Sequence, residues 1–160
     1  MGGQSRATCY VNKKVLSFSG EMVEENGGFV SCISPLLDNP VDLSTFSGLR
    51  IKLQGFGLHL KFAMACQNNR FNISRYLSGN VKWVFSFPTS NNQITDLFIP
   101  FKEFQPAIRA QPVKYSLGLN LKSINQFQLL YSKFGQPGEL NPAFSPGPFE
   151  ILVYSISAIS

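Results

Sequence analysis

The chain of 160 residues carries 44% hydrophobic and only 14% charged residues, with a formal net charge of +5; that length suits one domain able to bury about two-thirds of its unfolded surface. Fifteen Phe, ten Pro and thirteen Gly favour strands punctuated by turns over helices rich in Glu, Lys and Ala. No apolar run approaches the roughly 20 residues of a membrane-spanning helix, and no signal or transit pattern, fixed-period repeat or low-complexity tract is read in these residues.

Along the chain, the first strand pattern covers 15–19. The turn Asn26-Gly27-Gly28, whose residues accept positive φ at little cost, precedes a second, Phe29-Val30-Ser31-Cys32-Ile33. A third spans 49–54. Leu58, Leu60, Phe62, Met64 and Cys66 then alternate with His59, Lys61, Ala63 and Ala65, the period-2 pattern of a half-buried strand. Trp83, Phe85 and Phe87 repeat it, and further strands are expected at 94–99, 127–131 and 149–155. Pro100 should end its strand, with Phe101 and Phe104 sealing the end of the molecule. The stretch 136–147 holds three prolines and two glycines, which predicts an irregular loop rather than a linker, because a strand follows at once. No stretch carries a long helical pattern. The expected fold class is an all-β sandwich, one domain over 1–160.

Cys9, Cys32 and Cys66 are odd in number, far apart and set in strand-like apolar patterns, so they read as reduced core residues rather than disulfide partners or metal ligands. Reduced thiols imply a reducing compartment: cytosol, stroma or matrix.

No Asp or Glu occurs between Asp42 and Asp96, a window that contains Arg50, Lys52, Lys61, Arg70, Arg75 and Lys82. Eight basic residues remain elsewhere against nine acidic ones, so nearly all the net charge belongs to the centre of the chain. Arg50 and Lys52 alternate with Leu49, Ile51 and Leu53, and His59 and Lys61 with Leu58, Leu60 and Phe62, around Gln54-Gly55-Phe56-Gly57. An antiparallel hairpin across that turn would gather cations on one face, where like charges repel unless an anionic partner or solvent screens them. The competing explanation is a solvated face whose lysines resist edge aggregation.

Catalytic chemistry finds little support. The sole histidine, His59, lies on a strand without a Gly-x-Ser-x-Gly context, and Glu24 and Glu25 are neighbours that a strand would point to opposite faces. Gly2-Gly3 and Gly27-Gly28 lack the Lys-Ser/Thr and strand-loop-helix setting of a phosphate loop. Asp38, Asn39 and Asp42 beside a proline fit a turn better than a calcium site. No enzyme, cofactor or metal is expected.

Met1-Gly2-Gly3-Gln4-Ser5, Glu25-Asn26-Gly27-Gly28-Phe29-Val30-Ser31, Asp42-Leu43-Ser44, Gly48-Leu49-Arg50, Ile99-Pro100-Phe101 and Gly147-Pro148-Phe149 succeed one another along nearly the whole chain. This succession resembles the complex I intermediate-associated protein family, whose domain is a galactose-binding-like jelly roll and whose mitochondrial members are assembly factors for respiratory complex I. Tyr131-Ser132-Lys133-Phe134, Leu140-Asn141-Pro142 and Phe144-Ser145-Pro146-Gly147-Pro148-Phe149 are similar to its photosynthetic branch, cyanobacterial and plastid. The resemblance implies mostly structural roles for Gly2, Gly3, Ser5, Asn26, Gly27, Gly28, Phe29, Ser31, Asp42 and Arg109. Two positions depart from the family pattern: Phe56 stands between glycines where an acid is usual, and Ala110 follows Arg109 where a glycine is usual. The family's Met-Gly-Gly follows an upstream strand, so an N-terminal strand or targeting extension is expected to precede Met1.

The resemblance implies a noncatalytic protein-binding module, an assembly factor or accessory subunit of a membrane-bound photosynthetic or respiratory electron-transfer complex. Its partners would be protein subunits of that complex, with peripheral membrane association. Its setting would be the chloroplast stroma and thylakoid surface or the cyanobacterial cytoplasm, with the mitochondrial matrix as alternative. The binding residues expected are Arg50, Lys52, His59, Lys61, Arg70, Arg75, Tyr76 and Lys82, as a basic face and a polar cleft loop. A permanent structural or linker subunit of a photosynthetic or antenna complex is one rival. Another is a carbohydrate-binding module, and a third is an RNA-binding module in which Phe71, Tyr76 and Trp83 would stack bases between Arg70, Arg75 and Lys82.

Overall fold

The computed structural model describes residues 4–25, 28–67, 81–108, 111–113, 117–135 and 139–160. Among them lie the strands β1 (Arg6–Asn12), β2 (Val15–Met22), β3 (Phe29–Ile33), β4 (Gly48–Gln54), β5 (His59–Cys66), β6 (Lys82–Pro88), β7 (Thr95–Pro100), β8 (Gln105–Ile108), β9 (Gln111–Pro112), β10 (Ile124–Ser132) and β11 (Gly147–Ile159). Two short 3-10 turns, Phe101–Glu103 and Leu121–Ser123, complete the regular structure described. The strands form a five-stranded sheet in the order β1-β2-β11-β4-β7 and a six-stranded sheet in the order β3-β10-β5-β6-β8-β9. Every pairing in both is antiparallel.

Alternation explains why the sheets face each other. Leu60, Phe62 and Met64 of β5 pair with Tyr131, Leu129 and Phe127 of β10 and with Phe87, Phe85 and Trp83 of β6, so one face of the six-stranded sheet is almost wholly apolar. Phe18 of β2, Phe149, Ile151 and Val153 of β11 and Leu49, Ile51 and Leu53 of β4 supply the opposing layer, all buried. Aromatic contacts cross the seam: Tyr131 of β10 lies 5.6 Å from the Phe149 ring, which meets Phe18 edge-on at 5.2 Å. The irregular stretch after β10 is tied to this core rather than loose. Buried Asn141 donates to the carbonyls of Ser132 (2.7 Å) and His59 (3.0 Å), and the Tyr131 hydroxyl both donates to and accepts from the Ser145 backbone.

The expected strands are all present, together with three whose residues carry no legible alternation. β1 is exposed along its whole length and shows no burial alternation, while β8 and β9 are four and two residues long and contain prolines. Two further expectations are corrected. The segments flanking Gln54-Gly55-Phe56-Gly57 do not form a hairpin, because β4 belongs to one sheet and β5 to the other. Phe56 and Gly57 take positive φ, 50° and 83°, turning the chain across the end of the sandwich, and a Cβ at Gly55 would meet Thr89 at 2.6 Å. A side chain at that glycine therefore has no room.

The cysteines differ as well. Cys9 and Cys32 are not reduced core residues: they form a disulfide that joins β1 to β3, the edge strand of each sheet on one side of the sandwich. Their wide sequence separation hid the pairing, since an odd count of distant cysteines does not disclose which ones topology brings together. The inference from reduced thiols to a reducing compartment loses its premise. The bridge closes a loop with a sequence separation of 23 residues, which corresponds to roughly 3 kcal/mol of unfolded-state entropy. Reduction, or Cys9→Ala, should lower the unfolding free energy by about that amount, measured by thermal denaturation with and without dithiothreitol; a melting curve indifferent to both would mean that the bridge contributes nothing.

Candidate functional site

The basic residues divide between two faces. Arg50 and Lys52, outward on β4, meet Asp96 on the adjacent strand β7: Arg50 binds its carboxylate through Nε (2.6 Å) and Nη2 (2.7 Å), and Lys52 Nζ lies 3.4 Å from Oδ2. The guanidinium holds the Asp96 carboxyl below its ordinary value. This face is therefore paired, not a free cationic surface. Asp96 closes the acid-free window of the sequence, and strand pairing sets it directly opposite Lys52.

His59, Lys61 and Lys82 lie on the outward face of the six-stranded sheet, whose strands contain no Asp or Glu. Period-2 geometry sets them there, since Leu60, Phe62 and Met64 face the core. Lys61 stands between Ser86 of β6 and Leu130 of β10 and is only 7% exposed, rather than displayed on an open basic face. Its ammonium makes no hydrogen bond or ion pair with any described residue, and burial lowers its pKa to about 8. Lys82, half-buried, donates from Nζ to Gln128 Oε1, reaching across β5 above Ala63, which pairs with both Val84 and Gln128 and is itself buried. Burial lowers the Lys82 pKa as well. His59 Nε2 lies 2.7 Å from Ser86 Oγ, and burial, with a smaller contribution from Lys61, pushes the imidazole below its ordinary value.

A Ser-His contact has the reach of a nucleophile and its base, yet the rest of that machinery is not present among the described residues. Ser86 is buried and its hydroxyl also points to the Leu60 carbonyl (3.4 Å). No carboxylate on these strands orients the ring, and both residues sit within paired strands whose amides are engaged in the ladder. Ser86, Gln128 and Asn141 were not identified from sequence; their outward period-2 positions were the available signal for the first two.

Among the family-motif residues, Ser5 clamps the end of β2, its hydroxyl donating to the Val23 carbonyl and accepting from the Val23 amide, both at 3.0 Å. Gly28 has φ of +72°, and a Cβ there would meet the Lys133 side chain at 2.7 Å. Phe29 and Ser31 open β3 opposite Ser132 and Leu130. Asp42 accepts from the Ser44 amide at 2.8 Å; the Ser44 side chain and then that amide lower its pKa, and the adjoining Leu43 is buried. Gly2, Gly3, Asn26, Gly27, Arg70, Phe71, Arg75, Tyr76 and Arg109 lie outside the described residues. Trp83 is 2% exposed and its Nε1 has no hydrogen-bond partner among the described residues, so it offers no stacking platform to a nucleic-acid base. It lines instead a recess of about 300 Å³ with Phe101, Lys102, Phe104, Leu117, Leu119 and Leu121.

Two facing antiparallel sheets define a β-sandwich of the galactose-binding-like jelly-roll class. The family 11 carbohydrate-binding module of a cellulosomal cellulase of Clostridium thermocellum superposes with a TM-score of 0.66 over 99% of this chain and 84% of that one, at 16% identity. A family 30 carbohydrate-binding module gives 0.55 over 99% and 85%, at 14% identity, and an agarase gives 0.62 over 96% of this chain and 22% of its own, at 7% identity. At these identities the likeness is one of fold. No curated protein is similar enough in sequence to match. The chain belongs to the complex I intermediate-associated protein 30 family, whose model it matches over residues 1–153.

Lys61 carries a cost that can be measured. Below pH 8 the folded and unfolded chains both hold its proton and folding bears the full penalty; between about 8 and the ordinary value of 10.5 only the unfolded chain does, so stability rises with pH. Lys61→Met should therefore raise the unfolding free energy at pH 7 by about 1–3 kcal/mol, a gain that shrinks towards pH 10.5. Urea unfolding of both proteins across this range is the check, and no gain at pH 7 would mean that the ammonium is solvated.

Proposed function

We propose that this protein is a noncatalytic protein-binding module that serves the assembly of a membrane-bound electron-transfer complex of the complex I type, as assembly factor or accessory subunit. Membership of the complex I intermediate-associated protein 30 family over residues 1–153 carries the reading. The site supports it: a mixed face of amide, hydroxyl and ammonium groups suits contact with a partner, and its Ser-His pair has no orienting acid on the strands that carry it. The photosynthetic setting, plastid or cyanobacterial, is part of the proposal and rests on 131–134 and 140–149.

A second reading, carbohydrate binding, is favoured by the fold neighbours, one of which was solved with a β-1,3-1,4-mixed-linked tetrasaccharide. Calorimetric titration with that tetrasaccharide separates the two, since saturable heat would favour the carbohydrate reading.

The tagged chain, run on a native gel from gently solubilised membranes of its source, should co-migrate with partly built intermediates identified by mass spectrometry. Stoichiometric presence in the mature complex would make it a permanent subunit instead, and migration without any partner would overturn both.

A further inference from the structure

The six-stranded sheet carries Lys61 and Lys82 and no acid in any of its strands, whereas on the five-stranded sheet Arg50 and Lys52 share the carboxylate of Asp96. Lys61 is enclosed without a counter-ion among the described residues, and an enclosed ammonium without a counter-ion is costly unless something else supplies the negative charge. A neutral sugar leaves the positive charge unmatched, because a hydroxyl can accept a hydrogen bond from an ammonium but brings no formal charge to offset it. A carboxylate meets the need directly. It would draw half-buried Lys82 into a charge-assisted bond stronger than the one to the neutral Gln128 amide and offset the charge of Lys61 beside it.

We propose that the outward face of the six-stranded sheet is a docking surface for an acidic segment of a protein partner, with half-buried Lys82 on β6 as the direct contact and Lys61, enclosed on the central strand β5, as the uncompensated cation that draws the acid. This deepens the protein-binding reading and rests on it. The surface is small in charge but selective in position, since the cations of the other sheet are already engaged. His59, which burial keeps neutral near pH 7, bounds the site at one end of β5, and no other titratable group lies on the strands β3, β10, β5, β6, β8 and β9 facing outward beside these lysines.

The test uses a fluorescently labelled oligoglutamate peptide, titrated by anisotropy against the full chain and two double variants that remove equal charge. Lys61→Met with Lys82→Gln should weaken binding at least about tenfold, while Arg50→Gln with Lys52→Gln should leave it within about twofold. Lys82→Gln alone, at a half-buried position, serves if the Lys61 variant fails to fold. Equal loss in both double variants would reduce the effect to diffuse electrostatics and overturn the proposal. Absence of peptide binding at low salt, or displacement of the peptide by the neutral tetrasaccharide, would also overturn it. The two readings fail separately. If the Lys61/Lys82 variant still co-migrates with assembly intermediates, the docking face falls and the assembly role stands; if the wild-type chain has no partner on the native gel, the assembly role falls whatever the peptide does.

Discussion

The alternation of β5 is the constraint on which both the interior and the candidate site depend. Leu60, Phe62 and Met64 must face the opposing sheet to be buried, and strand geometry then sends His59, Lys61 and Ala63 to the other side. A slip of one residue would exchange the two sets and drive an ammonium into the core. The tight pairing to β6 and β10, with Phe85 and Leu129 flanking Phe62, makes that slip prohibitive. The same packing that stabilises the domain fixes Lys61 between Ser86 and Leu130, so the site inherits its precision from the core rather than from a flexible loop.

The division of charge follows from topology. Crossing from β4 to β5 at the end of the sandwich separates two pairs of basic residues that are close in sequence, and each pair meets a different neighbour strand. β7 brings a carboxylate to Arg50 and Lys52, whereas the strands beside β5 offer His59 only the Ser86 hydroxyl and bring no acid to Lys61. One face thereby gives its cations a shared acid, and the other is left with cations held in part away from water. Retaining such groups costs stability, which evolution tolerates more readily at sites that meet something than at sites that do not.

Much of the fold was legible in the sequence because burial writes itself as period 2. The runs at 58–66 and 83–87 correspond to β5 and β6, and the succession of family motifs agrees with the family to which the chain belongs. β1 escaped because an edge strand exposed throughout leaves no alternation to read, and β8 because it is short and interrupted by Pro106. The candidate site was legible residue by residue but not as an arrangement. A turn of Gly-Phe-Gly reads equally as a hairpin or as a crossing between sheets, and only the pairing partners decide. Linear charge counting likewise could not see Asp96, which borders the basic window in sequence and lies among its cations in space. The disulfide was hidden for a related reason: Cys9 and Cys32 are neighbours only once β1 and β3 become the edges of facing sheets.

That bridge makes the sandwich mechanically lopsided. One flank is stapled by a covalent bond between its outermost strands, while the other is bordered by β7 and by the short β8 and β9. Any breathing that parts the layers must therefore pivot about the stapled flank and widen at the far one, in the manner of a book opened from its spine. The recess beneath Trp83, Phe101 and Phe104 sits where β6 meets the turn that leads into β8, on the opening side. An opening of that kind would admit solvent to the interior at this aromatic corner ahead of the stapled flank.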